Sequence, residues 1–182
     1  ISAGNITSGF YGIGLGGTTV GTSGDDNDNS TIQNNAISKC YYGIYASAST
    51  NGRNEGLTIQ NNVIGSSTAT DYVTYRGIYV INANPPLISG NEIYNMIAST
   101  SNTVAGIDLD NVLGATVSKN KIHDLQANAS GGYGAYGINI GSSSNNTGIQ
   151  IENNVIYKVN TINYSISSTF QHHAYQIFTY IV

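Results

Sequence analysis

The chain is 182 residues long with only 9% charged residues, six Lys plus Arg against ten Asp plus Glu, and a formal net charge of −4. The scattered cations Lys39, Arg53, Arg76, Lys119, Lys121 and Lys158 cannot form a phosphate-neutralising stripe, which argues against nucleic acid as a partner; no apolar run is long enough for a membrane-spanning helix, and a single Cys excludes a disulfide framework. Asn, Gly, Ser and Thr supply the polarity instead, a composition that points to a secreted or cell-surface protein rather than a cytosolic enzyme.

Two motifs alternate along the chain. The first residues, Gly4-Asn5-Ile6, resemble a worn copy of one of them, and Gly12-Ile13-Gly14-Leu15 opens the other, Gly-Ile-x-φ with φ apolar. The loop over 16–31 carries the richest acidic cluster, Asp25, Asp26 and Asp28 interleaved with Asn27 and Asn29. Oxygen ligands at that density could hold calcium, and Asp26-x-Asp28-x-Ser30 resembles the start of a calcium loop. Thr31 stands where that loop needs Gly and Ile37 where it needs a bidentate Glu, so a solvated acidic loop is the competing reading. No other pattern requires a cofactor.

From Ile32 onward the second motif, Ile-x-x-Asn-x-Ile, recurs with its Asn at Asn35, Asn62, Asn91, Asn120 and Asn154, spaced by 27, 29, 29 and 34 residues. It alternates with Gly43-Ile44-Tyr45-Ala46, Gly77-Ile78-Tyr79-Val80, Gly106-Ile107-Asp108-Leu109 and Gly137-Ile138-Asn139-Ile140. Leucine-rich, ankyrin and tetratricopeptide repeats have similar periods but need helices with apolar residues three and four apart, and none appears. Ile44/Ala46, Ile78/Val80, Ile107/Leu109 and Ile138/Ile140 alternate with the two-residue period of a half-buried strand. The hexapeptide β-helix is excluded by its shorter repeat. The sequence predicts an all-β parallel β-helix solenoid of about five to six coils, roughly 29–31 residues each, with Asn and Ile ladders about 4.8 Å apart along the axis. The ladder Asn and the motif Gly are expected at corners, in left-handed backbone conformation.

The segments Ile59-Gln60-Asn61-Asn62-Val63-Ile64 and Ile151-Glu152-Asn153-Asn154-Val155-Ile156, with the paired Gly-Ile-Tyr-φ segments, resemble the parallel β-helix repeat family of the pectin-lyase-like superfamily over residues 1 to about 160. That resemblance implies a right-handed coil with three short parallel sheets. It covers polysaccharide lyases, glycoside hydrolases, phage tailspikes and non-catalytic surface modules, so it specifies fold more than function. The Gly-His-Gly and Arg-x-Lys motifs of the polygalacturonase branch are missing, and the one Asp-Asp pair, Asp25-Asp26, lies in a loop. Residues 161–182 depart from the repeat as a degenerate last coil, within a single β-helix domain over 1–182. Neither end carries the polar cap of a solenoid terminus, so the chain reads as a fragment flanked by further coils of a parent protein.

If both apolar residues of Gly-Ile-x-φ face inward, the residue between them forms an outer column, Gly14, Tyr45, Tyr79, Asp108 and Asn139. Tyr45, Tyr79, Asp108 and Asn139 are the candidate ligand-binding residues, suited to a polysaccharide or surface glycan lying along the axis. Ordinary cross-strand Tyr packing is the structural alternative. Asp108 and Asp110 share a strand face with Cα atoms roughly 6.6 Å apart, near the lower limit for an inverting glycosidase. With Arg76 just before its Gly, they form the candidate catalytic set. The negative chain would repel an acidic glycan unless calcium bridged the two, which favours a neutral one. Loops over 16–31 and 47–57 could wall a groove beside Tyr45.

Cys40 falls in the core register with Ser67, Met96, Leu125 and Val159. His123 shares an outer column with Ser38, Gly65, Tyr94 and Tyr157, and His172-His173 makes a poor chelate on a strand. The leading function is a non-catalytic exported scaffold with glycan binding along the Tyr/Asp/Asn column. The alternatives are a carbohydrate-active enzyme fragment, lyase or hydrolase, and a mechanical stalk.

Overall fold

The computed structural model describes residues 1–7, 9–19, 21–24, 27–99, 102–128 and 134–161. Each Ile-x-x-Asn-x-Ile unit supplies two strands that meet at a corner. The first Ile lies in Thr31–Gln33, Thr58–Gln60, Leu87–Ser89, Thr116–Ser118 or Gln150–Glu152, which stack into one parallel sheet. Its register pairs Ile32, Ile59, Ile88, Val117 and Ile151 from coil to coil. The second Ile lies in Ala36–Ile37, Val63–Ile64, Glu92–Ala98, Lys121–Ala127 or Val155–Thr161, again in register. The Gly-Ile motif forms the third face from Tyr11–Leu15, Cys40–Ser47, Val73–Ile81, Val104–Asp110 and Ala135–Ile140. Among the described residues every strand pair is parallel, and five strands per face bound about four complete turns, against about five to six coils expected for the whole chain.

The three Ile rows meet inside. Ile44, Ile59, Ile64, Ile78, Ile88, Ile93, Ile107 and Ile122 have no exposed surface, so each coil buries its apolar residues on the like residues above and below. Ile138 is only partly buried and Ile140 is exposed, in the last described strand of that face.

The Asn ladder is complete. Nδ2 of Asn35, Asn62, Asn91 and Asn120 donates to Oδ1 of the next Asn along the axis at 2.9–3.0 Å. The same Oδ1 accepts the backbone N–H of the preceding Asn, and each Nδ2 from Asn62 onward also donates to a carbonyl one coil back, Ile32, Ile59, Ile88 or Val117. Buried amides with all their sites engaged cost little to desolvate.

Corner conformation is the work of a different residue than expected. The left-handed position is the one directly before each ladder Asn, Asn34, Asn61, Gly90, Lys119 and Asn153, with φ of 54–67°. The ladder Asn is thus free to extend its amide along the axis. The motif Gly is not left-handed either. A Cβ on Gly43, Gly77, Gly106 or Gly137 would lie 2.5–2.7 Å from Cγ2 of Ile64, Ile93, Ile122 or Ile156, so these positions are glycine because the Ile row of the next coil packs against bare backbone.

Two register expectations also change. Cys40 is fully buried, but it pairs with Val73 rather than Ser67, because residues 66–72 form an inserted loop with a 3₁₀ turn at Ala69–Asp71. Val73 in turn pairs with Met96, and the row continues through Leu125 and Val159. Burial pushes the Cys40 thiol up to about 12, leaving it an inert apolar group. Gly4-Asn5-Ile6 does not continue the Asn ladder. Ser2 bridges to Ser38 and the Ile1 amine donates to the Ala36 carbonyl, while Asn5 Oδ1 accepts from Ile6 N and Thr7 N in a local turn. Beyond Thr161, the expected degenerate coil and His172-His173 lie outside the described residues.

Candidate functional site

The expected outer column forms in register, with Gly14 paired to Tyr45, Tyr45 to Tyr79, Tyr79 to Asp108 and Asp108 to Asn139. A second column runs beside it from the residue before each motif Gly, namely Tyr11, Tyr42, Arg76, Ala105 and Tyr136. The two columns interlock into an aromatic cluster. Tyr11 stacks on Tyr42 with centroids 5.0 Å apart, Tyr41 stacks on Tyr75 at 4.6 Å, and Tyr79 lies 6.2 Å from Tyr42 and 5.7 Å from Tyr45. The rings cover one another in stacked and edge-to-face contacts.

The column is less open than expected. Tyr45 is 9% exposed, and its hydroxyl donates to the Gly21 carbonyl, so Gly21 lies over it instead of standing away in a wall. Asp108 is 4% and Arg76 8% exposed. Arg76 Nε is paired with Asp108 Oδ2, Arg76 Nη1 donates to the Thr103 carbonyl, and the guanidinium lies 3.8 Å from the Tyr75 ring centre. The second oxygen of Asp108 accepts from Asn139 Nδ2 at 2.8 Å. Both carboxylate oxygens are therefore engaged, one by the compensating Arg76 charge and the other by a neutral amide donor. Asp110 differs. It is half-buried, its carboxylate has no hydrogen bond or ion pair among the described residues, and a Cβ on Gly141 would fall 2.7 Å from its Oδ1. Burial, reinforced by Asp108 and Asp110, pushes the Tyr79 phenol up to about 12, and burial beside the other phenols also raises Tyr42. Both remain hydroxyl donors at neutral pH.

Regular coils, an internal Asn ladder and parallel strand faces stacked from coil to coil are the marks of a β-helix, and a family model for right-handed β-helix regions matches residues 5–175. The chain belongs to the right-handed β-helix family. No curated protein and no solved structure gives a significant match to it. Membership fixes the hand of the coil and leaves the ligand open.

Elsewhere on the β-helix, the acidic loop is only partly described. Asp28 Oδ1 accepts from Glu55 N at 2.7 Å, tying that loop to the next coil, while Asp25 and Asp26 lie outside the described residues. Among the described residues no group of three His, Cys, Asp or Glu side chains could hold a metal ion. A cavity of about 330 Å³ opens beside Tyr41, bounded by Ile6, Thr7, Thr74, Ala98, Ser99 and Asn102.

The His123 column also forms, and it is more structured than a lone surface His. The imidazole is stacked between Tyr94 and Tyr157 with centroids 5.6 and 4.8 Å away. Its Nδ1 lies 2.7 Å from Asp124 Oδ2 and its Nε2 3.3 Å from Glu92 Oε1, while Lys121 and Lys158 pair with the same two carboxylates. Sequence reasoning placed this column but did not see the ion cluster. It also missed Tyr11, Tyr41, Tyr42 and Tyr75 as partners of Tyr45 and Tyr79. The available signal for Tyr11 and Tyr42 was the residue before each motif Gly, which is aromatic or cationic in four of five coils.

Proposed function

We propose that this β-helix is a glycan-binding scaffold of an exported or cell-surface protein, holding a sugar chain along the axis over Tyr42, Tyr79, Asp110 and Asn139. The observation that carries the reading is the run of aromatic and polar groups along this face, where Tyr79 leads in register to Asp108 and Asn139, half-buried Tyr42 stacks on Tyr79 from the preceding coil, and Asp110 follows Asp108 by two residues. Because the rings stack on each other, recognition rests on ring edges and hydroxyl hydrogen bonds rather than on open aromatic platforms. A rigid strand face also loses little entropy when a ligand orders on it. Asn/Ser/Thr-rich composition supports the exported location.

The alternative, a carbohydrate-active enzyme using Asp108, Asp110 and Arg76, asks Asp108 to exchange a proton while both its oxygens are held and Arg76 to act as a base while paired with it. The geometry favours these two as positioning groups for Tyr79 and Asn139. Incubation with neutral and acidic polysaccharides, followed by chain-length analysis by mass spectrometry and retention on the same immobilised glycans, tests the choice. Retention without shortening is expected. Shortening that disappears in the Asp108→Asn, Asp110→Asn double variant would overturn the binding reading in favour of the enzyme.

A further inference from the structure

Resting on that binding reading, we infer that the face selects a neutral sugar by a vicinal diol, with the Asp110 carboxylate and the Asn139 side-chain carbonyl as paired acceptors and the Tyr79 hydroxyl as donor. The orientation of Asn139 is the starting point. Its amide sits against the carboxylate of Asp108, which can only accept, so Nδ2 faces Asp108 and Oδ1 is turned away from it. Asp108 is itself pinned by Arg76, so this polarity is fixed before any ligand arrives. Oδ1 of Asn139 has no partner among the described residues and is not among the buried unsatisfied atoms, so it is an acceptor open to the outside.

Asp110 supplies the neighbour. Its strand pairs with Ala135–Ile140, and the close approach of its Oδ1 to Gly141 carries the carboxylate along the axis to the next coil. Gly141 follows Asn139 by two residues, which puts both on the same side of the chain. The Asp110 carboxylate thus occupies the space over Gly141 that a Cβ would fill, two residues along the chain from the outward-facing acceptor of Asn139. Adjacent acceptors match two adjacent hydroxyl donors. A uronate would place its own carboxylate beside Asp110, and like charges at short range repel. The Tyr79 hydroxyl, one coil before Asp108, has no hydrogen-bond partner among the described residues and can donate to a ring or bridging oxygen.

The test measures binding of the intact chain to galactomannan, dextran, xylan and polygalacturonate by affinity electrophoresis, repeated on the neutral polymers after periodate cleavage of their diols and borohydride reduction. Binding to at least one neutral polymer, abolished by periodate treatment, is expected. Asp110→Asn and Gly141→Ala, which displaces the carboxylate, should each weaken that binding about tenfold or more with unchanged circular dichroism and melting temperature. Binding to polygalacturonate alone, undiminished binding after diol cleavage, or full affinity in both variants would overturn the diol inference while leaving the glycan-binding reading standing. Failure to bind any of the four polymers would count against both.

Discussion

At the scale of single residues, the ladder Asn is where stability is most concentrated. Replacing Asn91 by Ala removes the acceptor for Asn62 N and Nδ2 and the donor for Asn120 Oδ1 and the Ile59 carbonyl, all within a buried row. With each stranded buried group costing about 1–3 kcal/mol, Asn91→Ala should lose about 3 kcal/mol or more in urea unfolding, and Asn35→Ala, at the more open first rung, distinctly less. A comparable loss at both would mean that the ladder is not the source. Gly106→Ala should destabilise by about 1–3 kcal/mol, because its Cβ would meet Ile122 Cγ2 at 2.6 Å and the Gly137 carbonyl at 2.7 Å. The repeat made these residues legible before their geometry was known. Their individual reasons were not, since conformational freedom and close packing leave the same glycine in a sequence. The same holds for the corner, where Lys119 takes the left-handed position that Asn34, Asn61 and Asn153 occupy elsewhere.

At the scale of elements, identical registers on successive coils turn single side chains into rows, and rows into networks. The Glu92, Lys121, His123, Asp124 and Lys158 cluster joins the outer strands of the last three coils of its face. Glu92 is held below the usual carboxylate range first by the hydrogen bond from Lys121 and then by that from His123; Asp124 is lowered first by His123 and then by Lys158. Their folded values lie below the ordinary 4.5 and 3.8, so their stabilisation is present above those values and lost as pH falls through the folded ones. The stability gap between the wild-type chain and the Glu92→Gln, Asp124→Asn double variant should therefore be open at pH 7 and close as pH falls through the lowered folded values. A gap that widens on acidification would reverse the assignment. Column membership of His123 was readable from spacing alone. Burial of the Arg76–Asp108 pair was not, because it depends on Tyr75 and Asn139 closing over it from neighbouring coils. The insertion over 66–72 likewise shifted Val73 into the place spacing gave to Ser67.

At the scale of the whole molecule, the parts divide their labour. The Ile rows and Asn ladder hold a stiff parallel stack, and the third face is left to present side chains at rung intervals of about 4.8 Å. Low charge suits a surface that meets hydroxyls rather than phosphates or uronates. The fold was legible because stacking places like residues on like residues, whereas the ligand depends on how a few polar groups are oriented. Amide chemical-shift mapping of the 19.1 kDa chain with the neutral glycan it retains best is the most direct test. Shifts are expected at Tyr42, Tyr79, Asp110, Asn139 and Gly141, with the face of Thr31, Thr58 and Thr116 unmoved. Shifts confined to that Thr face or to the His123 stack would contradict it.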